Sequence, residues 1–236
     1  MEYWENWWIE KKKALEESPY LQSIQSERKL EREEVLNTNA GLVNELDWPA
    51  LIAGYPGLDK WKTSNVMPAL IVNIDGEFGF EGVMLRTISE KRYFFSRAKD
   101  RPDRPLILGF QEAQKSIWEK GYVIAVEGYF DWVAVKKYEK NTIATLTDNI
   151  SPSLAKVLVR YADVVGVMTD NDNFGKLGAL KSQKRVEYAG ASAVQIEYTR
   201  GKDPGELREQ NSQELERILS KYRKNIEWMV GVKRLG

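Results

Sequence analysis

Acidic side chains at the ends of apolar, β-type runs are the residues of this chain best suited to chemistry. Val123–Val126 is one such run; it ends at Glu127, with Gly128 next. Val164–Thr169 is another, and it leads into Asp170-Asn171-Asp172-Asn173-Phe174-Gly175. A helical pattern comes after each. Parallel sheets bring the carboxyl ends of neighbouring strands to one crevice, so Glu127, Asp170 and Asp172 are expected to meet there. Asp131, four positions after Glu127, lies one helical turn further on and is placed to face the same crevice. Asp203 opens the turn after a third strand and is a further candidate ligand. Carboxylates clustered without histidine or cysteine suit a hard, oxygen-preferring cation such as Mg²⁺ or Mn²⁺. Paired ions of this kind clamp the attacking and leaving oxygens in phosphoryl transfer.

The acidic loop also has a plainer reading, as a polar loop that caps the next helix. It is not an EF-hand: Phe174 holds the fifth position and Lys181 stands where the bidentate glutamate belongs. Glu127 has less room for a plain reading. An acid between Val-Ile-Ala-Val and glycine is costly at a buried sheet end unless it is paired or bound to a cation.

The elements that must position these acids alternate. Helical patterns cover Phe110–Lys120, Tyr129–Tyr138 and Lys176–Tyr188, and Ser151-Pro152 is a helix start with a serine cap and proline in the first turn. Strand patterns cover Val123–Val126, Asp163–Thr169 and Val194–Tyr198. The alternation predicts an α/β fold, a largely parallel sheet flanked by helices. Ahead of it, residues 2–36 read as helical with a break at Pro19 and Ser18 as cap, and Leu42–Leu58 as a short helix and then turns. Ala69–Ile74 and Phe78–Leu85 flank Asp75-Gly76, a hairpin signal. Glu206–Val230 reads as an amphipathic helix. The expected division is an N-terminal α+β subdomain over 1–105, a catalytic domain over 106–205 and a C-terminal helical tail over 206–236.

Two aromatic groups carry alternatives. Trp4, Trp7 and Trp8 share one helical face, either docking that helix on the body or offering bases a stacking platform. The stretch from Lys91 to Arg104 sets Arg92, Arg97, Lys99, Arg101 and Arg104 around Tyr93, Phe94 and Phe95. It reads equally as a surface for nucleic acid or nucleotide and as a solvated loop with buried aromatics.

Composition sets bounds. The chain has 236 residues, with 35 Lys and Arg balanced by 35 Asp and Glu, so any basic surface must be local. There is no cysteine and no histidine, which excludes disulfides, cysteine-ligated zinc, thiol nucleophiles and histidine bases. No apolar run approaches membrane-span length and the first residues do not form a signal peptide, so a cytoplasmic protein with no membrane partner is expected.

Several words in the sequence carry a family resemblance. They are Leu108–Ala113 (LGFQEA), Glu127–Lys136 (EGYFDWVAVK), Ile143–Ser151 (IATLTDNIS) and the Asp-Asn-Asp loop ending at Gly175. In that order and spacing they resemble the Toprim catalytic core of bacterial-type DNA primases, from about Met67 to Glu206. The resemblance implies a Toprim fold and short RNA primers made on single-stranded DNA from nucleoside triphosphates. It also implies a magnesium site on the carboxylates named above and a basic surface that includes Arg92 and Arg104. A Toprim nuclease and a non-catalytic nucleic-acid-binding replication adaptor are the alternatives. Departures accompany the match. Asn173-Phe174 replaces a basic or alanine-containing step, Leu146-Thr147-Asp148 replaces Leu-Gly-Thr, and Asp203-Pro204-Gly205 replaces Asp-Pro-Asp. Relatives of this kind carry a zinc ribbon to read template, and a chain without cysteine or histidine cannot build one. Template selection is therefore expected from a helicase or a separate recognition subunit, in a phage or mobile-element version of the enzyme.

Overall fold

The computed structural model describes residues 2–61, 66–99 and 104–235, with side chains from Glu5 onward. The chain divides into two compact units, Met1–Asp75 with Phe80–Leu106, and Gly76–Gly79 with Ile107–Gly236. The C-terminal helices thus belong to the second unit.

In the first unit, α1 (Glu2–Glu16) and α2 (Pro19–Arg28) are separated where expected. Ser18 Oγ accepts a hydrogen bond from Tyr20 N at 3.0 Å and proline fills the first turn. Helix α3 (Arg32–Leu36) completes this part. Trp7 is buried beside Val43, Trp48 and Leu51, with Trp8 edge-on to it at 5.5 Å. Trp7 therefore docks the helix and is unavailable to bases; the side chain of Trp4 lies outside the described residues. Strands β1 (Ala40–Val43), β2 (Ala69–Gly76), β3 (Gly79–Thr87) and β4 (Tyr93–Arg97) form a sheet in that order, with α4 (Trp48–Gly54) between β1 and β2 in sequence. The local pattern does not announce two of these strands. Leu42 and Val43 pair antiparallel with Leu70 and Ala69, a contact across the chain that near neighbours do not encode. Tyr93–Arg97 pairs with β3, burying Phe94 and Ser96 and turning Tyr93 and Arg97 outward. The hairpin exists, but its turn is Glu77-Phe78 rather than Asp75-Gly76. Gly79, at φ 99°, takes the left-handed conformation that the turn requires.

In the second unit, α5 (Phe110–Lys120) precedes β5 (Tyr122–Val126). Then come α6 (Tyr129–Lys136), β6 (Thr142–Ala144), α7 (Pro152–Leu158), β7 (Val164–Met168), α8 (Asn173–Ala189) and β8 (Ser192–Gln195). The sheet order is β6-β5-β7-β8, and all three pairings are parallel. Strands β5 and β7 are buried along their whole length, which is why they read as continuous apolar runs. Val123, Ala125, Val165 and Val167 share a core with Phe110, Ile117, Leu154, Leu158 and Val186. Strand β6 is only three residues long, too short for a sequence pattern to mark. β8 ends earlier than expected. The tail is two helices, α9 (Pro204–Gln210) and α10 (Ser212–Leu235). The break is at Asn211, whose Oδ1 accepts from Glu214 N at 3.1 Å and restarts the helix. No described helix is long and apolar enough to cross a membrane.

Candidate active site

The connection from β5 runs to β6 on one side, and the chain then returns to β7 on the other. The carboxyl ends of β5 and β7 therefore flank the switch point where open α/β sheets bind ligands. Glu127 leaves β5 at that edge and Asp170 lies just beyond β7. The two ends are tied together: Glu127 Oε1 accepts a hydrogen bond from Asp170 N at 3.0 Å.

Asp131 lies in the first turn of α6 and is buried. Its Oδ2 accepts from Gly128 N at 3.0 Å and its Oδ1 from Gly205 N at 3.1 Å, linking the turn after β5 to the start of α9. Asp203 caps α9, accepting from Glu206 N at 2.6 Å. A Cβ at Gly205 would lie 3.1 Å from Asp203 Oδ1 and 3.4 Å from Asp131 Oδ1. A side chain there would crowd two carboxylates. Glu206, the adjacent acid, points elsewhere, with Oε2 accepting from Lys202 N at 2.7 Å.

Asp172 is exposed and caps α8, its Oδ1 accepting from Gly175 N at 2.8 Å. The first turn of α8 passes so close to the acidic loop that a Cβ at Gly175 would sit 2.1 Å from the Asp170 carbonyl oxygen. Only glycine allows that approach. The loop is held from its other side as well, because Asn171 N donates to Lys202 O at 2.6 Å. The Tyr198 hydroxyl lies 2.7 Å from Thr169 O and 3.3 Å from Lys202 O, both acceptors.

The electrostatics reflect this crowding. Burial, and then the charges of Asp170, Asp131 and Asp148, push Glu127 up to about 7. Burial and the neighbouring Asp203 raise Asp131. Asp170 is raised by burial and by Asp203, against the opposing pull of Lys202, whose Nζ is 3.7 Å from Asp170 Oδ2. These acids share a partly desolvated edge with too little positive charge to balance them.

Glu127, Asp131, Asp170 and Asp203 thus come within electrostatic reach of one another, while Asp172 caps a helix and acts on Asp170 through its charge. Among the described residues, no three acidic side chains converge tightly enough to enclose an ion by themselves. Mg²⁺ does not require such a cage. It keeps several waters and is held by one or two carboxylates together with substrate phosphates. An oxygen-only donor set in excess negative charge, at the ends of two strands, fits that mode.

Three further residues reach this edge: Asp148, which acts on Glu127, and Tyr198 and Lys202, which brace or balance the acidic loop. Asp148 shows in the sequence only as a departure from Leu-Gly-Thr, and Tyr198 and Lys202 carry no local mark; each arrives through tertiary contact. Beside Asp170, a cleft of about 390 Å³ is lined by Thr169, Asn171, Lys176, Gln195 and Tyr198.

The basic stretch belongs to the first unit. Arg92, Arg97 and Lys99 are exposed. Arg92 pairs with Glu90 at 2.9 Å, and Arg97 Nε donates to Arg104 O at 2.7 Å. Arg104 pairs with the buried Glu81 at 3.0 Å. Arg101 lies outside the described residues. Tyr93 and Phe95 stack in parallel, their centroids 6.3 Å apart, on the outward side of β4.

Residues 124–208 match the Toprim-like family, a stretch that includes Glu127, Asp131, Asp170, Asp172 and Asp203. The relatives narrow this. A DNA primase of Aquifex aeolicus is 26% identical over 130 residues, 54% of this chain and 26% of that protein. A DNA primase of Clostridium acetobutylicum is 33% identical over 93 residues, 39% of this chain and 16% of that protein. The chain therefore spans only a small part of the length of these curated relatives. Among solved structures, the zinc-binding and RNA polymerase domains of the Aquifex aeolicus primase match with a TM-score of 0.73 at 19% identity, covering 89% of this chain and 57% of that one. A DnaG catalytic core matches with a TM-score of 0.71 at 18% identity, covering 92% and 78%. The chain has the fold of the bacterial-type primase catalytic core.

Proposed function

We propose that this chain is the catalytic core of a DNA primase, joining ribonucleotides into short primers on single-stranded DNA by metal-dependent nucleotidyl transfer. The observation that carries the reading is the set of under-compensated carboxylates at the β5–β7 switch point. Glu127 and Asp170 would hold a divalent ion together with the substrate triphosphate, with Asp131, Asp172 and Asp203 contributing charge around them. Bound there, Mg²⁺ or Mn²⁺ would neutralise the phosphates and favour attack by a 3′-hydroxyl.

The chain's own residues have separable tasks. Glu127 fixes the register of the two strand ends through its bond from Asp170 N. Asp131 orients the turns before α6 and α9 by accepting two backbone hydrogen bonds. Lys202, beside Asp170, offers a positive charge to an incoming phosphate. Arg92, Arg97 and Lys99 supply phosphate contacts for template or nucleotide, joined by Arg101 and Arg104. In the fold's relatives, one solved structure is a DnaG primase catalytic domain bound to single-stranded DNA, which supports that strand as the template.

The test is incorporation of radiolabelled nucleotides on single-stranded DNA, with Mg²⁺ and Mn²⁺ in parallel. Short RNA products are expected. Shortened DNA would replace the reading with a nuclease, and binding without chemistry would replace it with an adaptor.

A further inference from the structure

Helix α8 begins at the acidic loop and turns an unusual face to solvent. Its buried side, with Ala179, Ser182 and Val186, joins the body of the second unit. On the opposite side Phe174 is 83% exposed and Tyr188 96%, and Leu177 and Leu180 are about half exposed. Positions 174, 177, 181, 184 and 188 form one line at helical spacing, and Leu180 flanks it. The line runs about 21 Å at 1.5 Å per residue. Lys181 and Lys184 lie exposed on it, with Lys176 and the acid Glu187 exposed on its flank. Phe174 is also the residue that departs from the expected basic or alanine-containing step of this loop.

An aromatic ring at each end with two cations between them suits a ligand that offers both π-faces and negative charges. A single strand of nucleic acid does so, because its bases stack on aromatic rings and its phosphates meet lysines. A protein groove or a lipid surface would favour a continuous apolar stripe, which the lysines interrupt. The line starts two residues after Asp172, so a strand lying on it would run from the acidic edge outward.

We propose that the solvent face of α8 is a track for single-stranded DNA, with Phe174 stacking the base nearest the acidic loop, Tyr188 stacking at the far end, and Lys181 and Lys184 contacting phosphates between them. The track rests on the primase reading only for its place in catalysis; the binding surface itself stands on the helix face. The experiment is fluorescence anisotropy of a labelled oligothymidylate with the purified chain, without divalent ions and across a salt series. A Phe174→Ala, Tyr188→Ala double variant should bind about 30-fold more weakly, the low end of base stacking for two aromatic rings. A Lys181→Gln, Lys184→Gln double variant should lose about 1.4 from the log–log salt slope, two single-strand phosphate contacts. All four side chains are exposed, so thermal melts of the variants should match the parent. Unchanged affinity and slope in both variants overturn the track, including in favour of a protein partner on this face. If the parent makes no primers while both variants still lose binding, the track stands and the primase reading falls. If the parent makes primers and both variants bind normally, the track alone falls.

Discussion

Glu127 is the residue where energetics and chemistry meet most directly. Its carboxyl is pushed from 4.5 to about 7 in the folded chain, chiefly by burial. The folded state therefore binds this proton more tightly than the unfolded chain. The penalty is absent below about pH 4.5, grows as pH rises to about 7, and is full above it. Glu127→Gln keeps an oxygen to accept from Asp170 N but removes the charge. In metal-free buffer at pH 8 it should raise the melting temperature by a few degrees, for about 1–2 kcal/mol once partial exposure is discounted. At pH 5 the difference should shrink. Melts of both proteins at the two pH values check this, and a pH-independent difference would reassign the effect to packing. Asp170→Asn and Asp172→Asn test the same edge for catalysis. Asp170→Asn should abolish primer synthesis with the fold intact by circular dichroism. Asp172→Asn, at an exposed cap that asparagine fills well, should also fall in activity while melting almost unchanged. Full activity in the double variant would remove the acidic edge from the mechanism.

At the scale of elements, the acidic loop is held by its neighbours rather than by its own sequence. Tyr198, after β8, places its hydroxyl against the carbonyls of Thr169 and Lys202. Tyr198→Phe removes that bond and leaves Thr169 O, in a buried segment, without it, at a cost of about 1–3 kcal/mol. Because the bond braces the residue just before Asp170, the expected kinetic signature is a raised metal concentration for half-maximal activity. A lowered melting temperature with unchanged metal dependence would mark Tyr198 as purely structural. Gly175 makes the complementary case, since alanine there meets the Asp170 carbonyl at 2.1 Å before any relaxation. Much of this scale is legible in the residue order. Ser18 and Ser151 announce helix starts because their capping hydrogen bonds are local, and Pro152 because its fixed φ and missing N–H suit the first turn. Leu42-Val43, Tyr93–Arg97 and Thr142–Ala144 do not announce themselves as strands, because their partners lie elsewhere in the chain.

At the scale of the whole molecule, Lys and Arg balance Asp and Glu, so any basic surface must be local. Arg92, paired with Glu90, and Lys99 are exposed on the first unit, and Arg104 is engaged by the buried Glu81. An Arg92→Ala, Lys99→Ala double variant should therefore shift the salt slope of single-stranded DNA binding by about 1.4 if each residue contacts one phosphate. An Arg104→Ala variant should lose stability as well, since it strips a charged partner from buried Glu81. Titration of labelled DNA across salt concentrations checks the first, and thermal melting the second. An unchanged slope in the double variant would leave this stretch as a solvated surface.

Residue order alone specifies the features that near neighbours control. Buried parallel strands read as apolar runs because both their faces are covered. Glu127, Asp170 and Asp172 stand out because carboxylates rarely end such runs without a task. The missing cysteine and histidine bound the chemistry to oxygen ligands. The division of roles among those acids emerges in three dimensions. There Asp131 and Asp203 meet across Gly205, and Asp172 is a cap. Asp148, Tyr198 and Lys202 come to the same edge from distant parts of the chain. The reason is physical: a strand end or a helix cap is specified within a few residues, whereas a shared crevice exists only after separate strands have paired and their loops have met.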